Sequence, residues 1–387
     1  MQQIFIKTDK QHAYLKKIEA LLPYFKEREP QLDKKGSFPF QNIKDLKDIG
    51  YHTISLPKAF GGEEISLYDF LLFQEKIAEG DGSTALSIGW HVSAFMRLTE
   101  NRPWPADVFA YVCKEVKNGA LLNRALTERN TGSPTRGGKP ETMAKKTDGG
   151  WVVTGRKTFT SMAPALDYFV VTSSIDGEDD IIGEFLIPRE AEGVSIDETW
   201  DSVSLRGTAS HDLVLENVAI PQEYLVEKRK VGAKKEGGNG SILHIPACYL
   251  GIAQAARNEA VKFAANYQPN SLDKPIATLP NIQHMIGKME LALTQARHLL
   301  YSVAEKYDQK HNRKLLQADL AAVKYTVTNN AVSVVDLAMR IVGARSLSEK
   351  NPLHRYYLNV RAGLHNPPMD DSTLVTLANR ALQEAND

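Results

Sequence analysis

The sequence predicts an α+β multidomain chain. It should have an N-terminal all-α domain over residues 1–120, a middle antiparallel β-barrel-like domain over 121–226 and a C-terminal four-helix bundle over 227–387. Three observations predict this. Helical apolar spacing runs through the first third. Short β-branched and aromatic runs crowd the middle third with no helix-length segment between them, which favours an antiparallel barrel or sandwich over alternating strands and helices. The last third carries two long stripes at the helical repeat.

The elements follow in order. Tyr14, Ile18, Leu21 and Leu22 take helical spacing, as do Phe40, Ile43, Leu46 and Ile49, with Gly50 as the stop. Pro57 and Gly61-Gly62 mark a loop. Leu67 to Ile77 is apolar-rich, and Asp81-Gly82-Ser83 breaks the chain before Thr84 to Phe95. In the middle block, Asp148-Gly149-Gly150 ahead of Trp151-Val152-Val153-Thr154 is a hairpin signature. Tyr168 to Thr172, Glu184 to Ile187, Leu213 to Leu215 and Val218 to Ile220 are further strands, closed by Pro221. From Pro246 onward the helical pattern returns. Ile282, Ile286, Met289, Leu293, Ala296, Leu300 and Val303 form one stripe. Leu320, Val323, Val327, Ala331, Val334, Ala338 and Ile341 form the next. Such stripes mark long helices packed side by side.

Composition bounds the function. Lys and Arg total 47 and so do Asp and Glu, so bulk charge offers no grip on nucleic acid or a membrane surface. Cys113 and Cys248 form neither a CxxC pair nor a disulfide framework, which fits a reducing cytoplasm. The charged N-terminus does not read as a secretory signal. No stretch reaches the ~18 uninterrupted apolar residues of a membrane span. A cytoplasmic protein is expected. No G-x-G-x-x-G follows a strand, and Walker A, H-E-x-x-H and G-x-S-x-G patterns are lacking. No metal site is therefore expected, and demanding chemistry would fall to an organic cofactor.

Two short segments are candidates for holding one. Leu126-Thr127-Glu128 with Thr131-Gly132-Ser133 is rich in hydroxyls and glycine, so it offers donors to a ring edge or a pyrophosphate; alone it reads equally as a polar turn. Lys157-Thr158-Phe159-Thr160-Ser161 sets an aromatic ring between hydroxyls, suited to a flat ring system or to a strand edge over the core.

Taken jointly with other segments, the pattern resembles the acyl-CoA dehydrogenase family of flavoproteins over nearly the whole chain. Phe38-Pro39, Leu46, Gly50, Pro57 and Phe60-Gly61-Gly62 resemble the family's opening. Ala125-Leu126-Thr127-Glu128 through Gly132-Ser133 is similar to its T-E-x-x-x-G-S flavin loop. Gly155-x-Lys157-x-Phe159-Thr160-Ser161 resembles its N-G-x-K-x-W-I-T segment. Arg206 through Asp212 with Val218 to Pro221 resembles the end of its β domain. Gly251 to Ala256, Lys274-Pro275-Ile276 and Gln283 resemble its C-terminal motifs.

The resemblance implies FAD between the β domain and the C-terminal helices of a homotetramer or homodimer. Leu126, Thr127, Gly132 and Ser133 would touch the flavin or its phosphates, and Phe159, Thr160 and Ser161 would line the isoalloxazine. Gln283 and the stretch Arg340 to Ala344, with Gly343 and Ala344 in place of a glycine pair, would reach FAD from a neighbouring subunit. Ser133 and His91 would approach the substrate. The implied activity is FAD-dependent α,β-dehydrogenation of an acyl-CoA in fatty acid metabolism, with electrons passed to an electron-transfer flavoprotein.

The departures concern the base. Where the family usually carries its glutamate, this chain reads Leu364-His365-Asn366-Pro367-Pro368, and the alternative location, Gly240 to His244, holds no carboxylate either. Asp370 and Asp371 lie a turn downstream, where an N-terminal capping role for the last helix is expected. The catalytic residue is left unassigned. A second branch of the fold, flavin monooxygenases that activate oxygen with reduced flavin, lacks the glutamate and places histidines and a serine near the ring. Trp90-His91, Ser161 and His365 fall at similar places, and histidine can hold a proton near neutral pH. A non-catalytic flavin- or acyl-CoA-binding protein is the third alternative. Lys228, Arg229, Lys230, Lys234 and Lys235 read as a solvated linker, or as a basic loop for CoA phosphates.

Overall fold

A computed structural model describes residues 2–131, 138–232 and 239–385. Helices lead, a sheet follows, and helices close the chain, as the patterning requires.

The first block holds α1 (Asp9–Lys35), α2 (Phe40–Asp48), α3 (Leu67–Ala78), α4 (Gly82–Asn101) and α5 (Ala106–Lys117). Local chemistry sets their ends. Thr8 and Gln11 form a reciprocal capping box at the start of α1, and Gly36 ends that helix with φ 63°. Asp81 caps α4 by accepting from Ser83 N at 2.9 Å and Thr84 N at 3.2 Å.

The middle block is one eight-stranded sheet: β1 (Leu122–Ala125), β2 (Met143–Thr147), β3 (Gly150–Thr160), β4 (Tyr168–Ile175), β5 (Glu178–Pro188), β6 (Val194–Asp197), β7 (His211–Ile220) and β8 (Leu225–Lys230). Its order is β6-β7-β3-β2-β4-β5-β8 with β1 on β4, and most pairs are antiparallel. Two are parallel, a departure from the all-antiparallel expectation. β1 and β2 share one edge of β4 end to end, β1 against Tyr168–Val171 and β2 against Ser174–Ile175. The chain crosses between them through residues 126–142, so both strands run in the direction of β4. The edge is left interrupted at Thr172 and Ser173. Lys228 to Lys230 belong to β8, paired with Ile181 to Gly183, rather than to a linker. Lys234 and Lys235 lie outside the described residues.

The last block is α6 (His244–Asn266), α7 (Pro280–Asp308), α8 (Gln317–Val342), α9 (Leu353–Arg361) and α10 (Asp370–Glu384). Both predicted stripes are core, and of their members only Ile286 is partly exposed. A short connection makes α7 and α8 antiparallel, so the start of α7 and the end of α8 share one end of the bundle. The bundle is tied to the N-terminal block by buried polar contacts. Arg297 Nε on α7 donates to Glu75 Oε1 on α3 at 2.8 Å, and Tyr301 Oη donates to Glu75 Oε2 at 2.5 Å. Gly251 lets α6 press on α3, since a Cβ there would sit 2.2 Å from Glu75 O. No helix among the described residues is long and apolar enough to cross a membrane.

Candidate functional site

The interruption along β4 is where the two candidate segments meet. Thr158 N donates to Thr127 O at 2.8 Å, an isolated bridge that sets Leu126-Thr127 beside Lys157 to Ser161. Glu128 and Lys157 fix this junction. Lys157 is fully buried, and its Nζ donates to Glu128 Oε1 at 2.5 Å. The same oxygen accepts from Thr142 N at 3.0 Å and Thr142 Oγ1 at 2.6 Å, while Oε2 accepts from Glu141 N at 2.6 Å. Burial opposes charge on Glu128, but Lys157 and these donors outweigh it and hold its pKa below the usual carboxylate range. Burial draws Lys157 down to about 8, which leaves it protonated at neutral pH.

Beyond this clamp the strand ends in a strained turn. Phe159 has φ 55°, costly for a bulky residue, yet its ring is 64% exposed and lies edge-on to Trp200 at 5.9 Å. The hydroxyls of Thr158 and Thr160 beside it are buried without partners. Buried hydroxyls are normally bonded, and an exposed aromatic flanked by unspent hydroxyls suits a flat ligand with heteroatoms. Ser161 Oγ lies 2.8 Å from Ser210 Oγ, which lies 2.8 Å from Thr208 Oγ1. Thr208 Oγ1 donates to Leu205 O at 2.9 Å. Leu205 N in turn donates to Asn359 Oδ1 of α9 at 2.7 Å. The hydroxyl chain thus joins the strand end to the C-terminal block.

Of the two carboxylates downstream, Asp370 is engaged by side chains of α8, whereas Asp371 is exposed and bonded only to the next residue of its own helix. Asp370 Oδ2 accepts from Asn329 Nδ2 at 2.9 Å, and Oδ1 lies 3.5 Å from Lys324 Nζ. Asp371 Oδ1 accepts from Ser372 N at 2.8 Å. Both sit in the first turn of α10 behind Met369, which holds the cap position expected of them. Asn366 Oδ1 accepts from Tyr249 Oη at 2.6 Å, and His365 is exposed.

His91 is placed differently from the sequence expectation. It is fully buried, its Nε2 donates to His52 O at 2.9 Å, and its Nδ1 accepts from Leu122 N at 3.0 Å. Burial lowers its pKa to about 4. Both nitrogens being spent on the main chain, no polar atom is left for a substrate. Gln283 and Arg340 are exposed, Gln283 bonded to Ala277 O at 3.1 Å and Arg340 to Asp336 at 2.7 Å. Gly343 and Ala344 are exposed beside Arg340, at the same bundle end as Gln283. No hydrogen bond, ion pair or ring contact among the described residues joins these four to the Thr127–Ser161 junction. Gly132 and Ser133 lie outside the described residues.

The sequence reading gave no role to Trp200 or to the Glu128–Lys157 pair. A lone tryptophan carries no pattern. The pair's signal was present in the spacing of two strand ends, but only the fold shows that they abut.

Comparisons with known proteins agree with this architecture. Family models for the acyl-CoA dehydrogenase N-terminal, middle and C-terminal domains match residues 8–101, 123–218 and 241–364. A relative from Bacillus subtilis (strain 168), "Putative acyl-CoA dehydrogenase YdbM", is 52% identical over 380 residues, 98% of this chain and 99% of that one. The structure of butyryl-CoA dehydrogenase from Megasphaera elsdenii matches with TM-score 0.86 and 22% identity, covering 97% of this chain and 99% of that one. The FMN-bound dibenzothiophene monooxygenase TdsC from Paenibacillus sp. A11-2 matches with TM-score 0.85 and 20% identity, covering 96% and 98%. At these identities the two structures speak for the fold.

Proposed function

Because this chain belongs to the acyl-CoA dehydrogenase family, we propose that it is a flavin oxidoreductase that oxygenates a small organic substrate with reduced flavin, rather than one that desaturates an acyl-CoA. One observation carries the choice. Where the family resemblance implies a glutamate, the chain has Asn366-Pro367-Pro368; of the nearby carboxylates, Asp370 is held by Asn329 and Lys324, and Asp371 is exposed in the first turn of α10. A general base must reach its proton, and the position where the family resemblance implies one carries no carboxylate.

The junction fits a flavin. Phe159 offers a ring face, and the unpartnered Thr158 and Thr160 hydroxyls offer polar partners at its side. When bound and reduced, flavin supplies the electrons and activates oxygen. The chain's own part is placement and hydrogen bonding. The Glu128–Lys157 clamp fixes the two loops, and Phe159 orients the ring. The hydroxyls of Ser161, Ser210 and Thr208 donate in turn towards Leu205 O, which leaves Ser161 Oγ to accept a proton-bearing group of the ligand. The flavin is FAD on this reading, its far end met by Gln283, Arg340, Gly343 and Ala344 of a second copy in a homodimer or homotetramer. The two free, buried cysteines suit a cytoplasmic setting.

Dehydrogenation with transfer to an electron-transfer flavoprotein is the second reading, favoured by the name of the 52% identical relative. Anaerobic mixing of flavin-loaded protein with short-, medium- and long-chain acyl-CoAs separates the two. Flavin absorbance should persist throughout, and reduced, loaded protein should incorporate oxygen-18 from O2 into an accepted substrate. Bleaching by any acyl-CoA would overturn the oxygenase reading.

A further inference from the structure

A groove of about 510 Å³ opens between the N-terminal helices and the start of the sheet. Its walls are α2, the residues after α5, and the turn that follows Ser161 up to Asp167. The floor is apolar: Ile43 and Leu121 are buried beneath it, and Phe40 at the rim is 58% exposed. Its volume is that of a small-molecule pocket.

The charges lining it are unequally spent. Lys44 Nζ pairs with Asp48 Oδ2 at 2.7 Å. Asp167 Oδ2 accepts from Leu121 N at 2.7 Å, and Glu115 Oε2 accepts from Tyr168 Oη at 3.3 Å. Lys47 is half-buried, yet its Nζ makes no ion pair or hydrogen bond with any described residue. Its Nζ lies over Gly119, 3.9 Å from where a Cβ would sit, so the missing side chain there leaves the ammonium open to the groove. Burial lowers its pKa, offset in part by Asp167. A partly desolvated ammonium with no hydrogen-bonded partner gains from an anion, and the carboxylates of Glu115 and Asp167 in the same lining limit how much negative charge the groove accepts. A single unspent cation matches a monoanion better than a phosphate dianion. An exposed phenyl ring at the rim matches an arene better than a sugar.

We propose that this groove binds a small aromatic carboxylate, with the anionic group on Lys47 and the ring against Ile43 and Phe40. The site shares no lining residue with the flavin junction and does not depend on the oxygenase reading.

The test is calorimetric titration of the flavin-loaded full chain with 2-naphthoate, with neutral 2-naphthamide as the control. Naphthoate should bind saturably and the amide at least about tenfold more weakly, equivalent to about 1.4 kcal/mol. Lys47→Met should weaken naphthoate about tenfold while leaving flavin content unchanged. Ala120→Trp, which fills the groove and keeps Lys47, should also abolish binding. Absence of naphthoate binding to the wild type, equal binding of the amide, or unchanged affinity in either variant would overturn the proposal.

Discussion

Lys157 shows how much can rest on one residue. Among the described residues its ammonium is the only cation bonded to Glu128, whose side chain is almost fully buried. Lys157→Met leaves a buried carboxylate uncompensated and should cost roughly 3–5 kcal/mol in urea unfolding. Adding Glu128→Gln should recover part of that loss, since the stranded charge is then removed. If the double variant is no more stable than Lys157→Met, the clamp is not electrostatic. Two buried histidines make the complementary case. His91 spends both nitrogens, whereas His244 has neither bonded and lies edge-on to Trp90 at 4.7 Å. Burial lowers the pKa of His91 to about 4 and that of His244 to about 3, from an unfolded value of 6.5. The unfolded chain therefore binds more protons below pH 6.5, and stability is lost as pH falls from there towards the folded values. His244→Phe should flatten that acid loss, by up to about 1.4 kcal/mol per pH unit, at little cost at neutral pH. His91→Phe should flatten it too, but lose about 2 kcal/mol at neutral pH with its two main-chain bonds. Equal neutral-pH costs for the two variants would refute the distinction.

At the level of elements, the N-terminal helix is held to α9 by Glu29 and Arg355, 3.2 Å apart and both buried. Burial first, and Asp81 second, raise the Glu29 pKa to about 8 against the pull of Arg355. The folded chain then binds a proton that the unfolded chain releases near 4.5. Stability from this group is full below that value and is lost as pH rises towards 8. Glu29→Gln keeps the acceptor and removes the titration. Its urea midpoint should match the wild type near pH 5 and exceed it near pH 8, by up to about 1.4 kcal/mol per pH unit crossed. A wild-type midpoint with the same pH slope as the variant would show that Glu29 stays ionised. Elements of this kind were unevenly legible in the sequence. The stripes from Ile282 to Val303 and from Leu320 to Ile341 announced α7 and α8, because a helix buried along one face must repeat its apolar residues. The parallel placement of β1 and β2 on β4 was not legible, because strand pairing is decided by the path of the chain between strands rather than by the strands themselves. Thr127 and Phe159 could be picked as candidates by residue type. Their contact, and the burial of His91, needed the fold.

On the scale of the whole molecule, the bundle leaves an apolar stripe uncovered. Leu374, Val375 and Leu382 on α10 are 53%, 60% and 64% exposed, and Leu291 and Leu347 are exposed as well. Apolar surface grouped in this way marks association more often than a free surface. The exposed end carrying Gln283, Arg340, Gly343 and Ala344 makes no contact among the described residues with the junction at Phe159. If a second copy closes both gaps, flavin affinity should rise with protein concentration, and Leu374→Glu with Leu382→Glu should lower assembly mass and flavin content together. Mixing gives a sharper result. Phe159→Ala and Arg340→Ala should each bind flavin weakly alone. After dissociation and reassembly together they should regain flavin, because one junction in each mixed pair then has Phe159 from one copy and Arg340 from the other. Fluorescence titration of the mixture against the separate variants reads this directly. No regain, with light scattering showing that mixed assemblies had formed, would place Arg340 outside the flavin site and make each junction complete within a single chain.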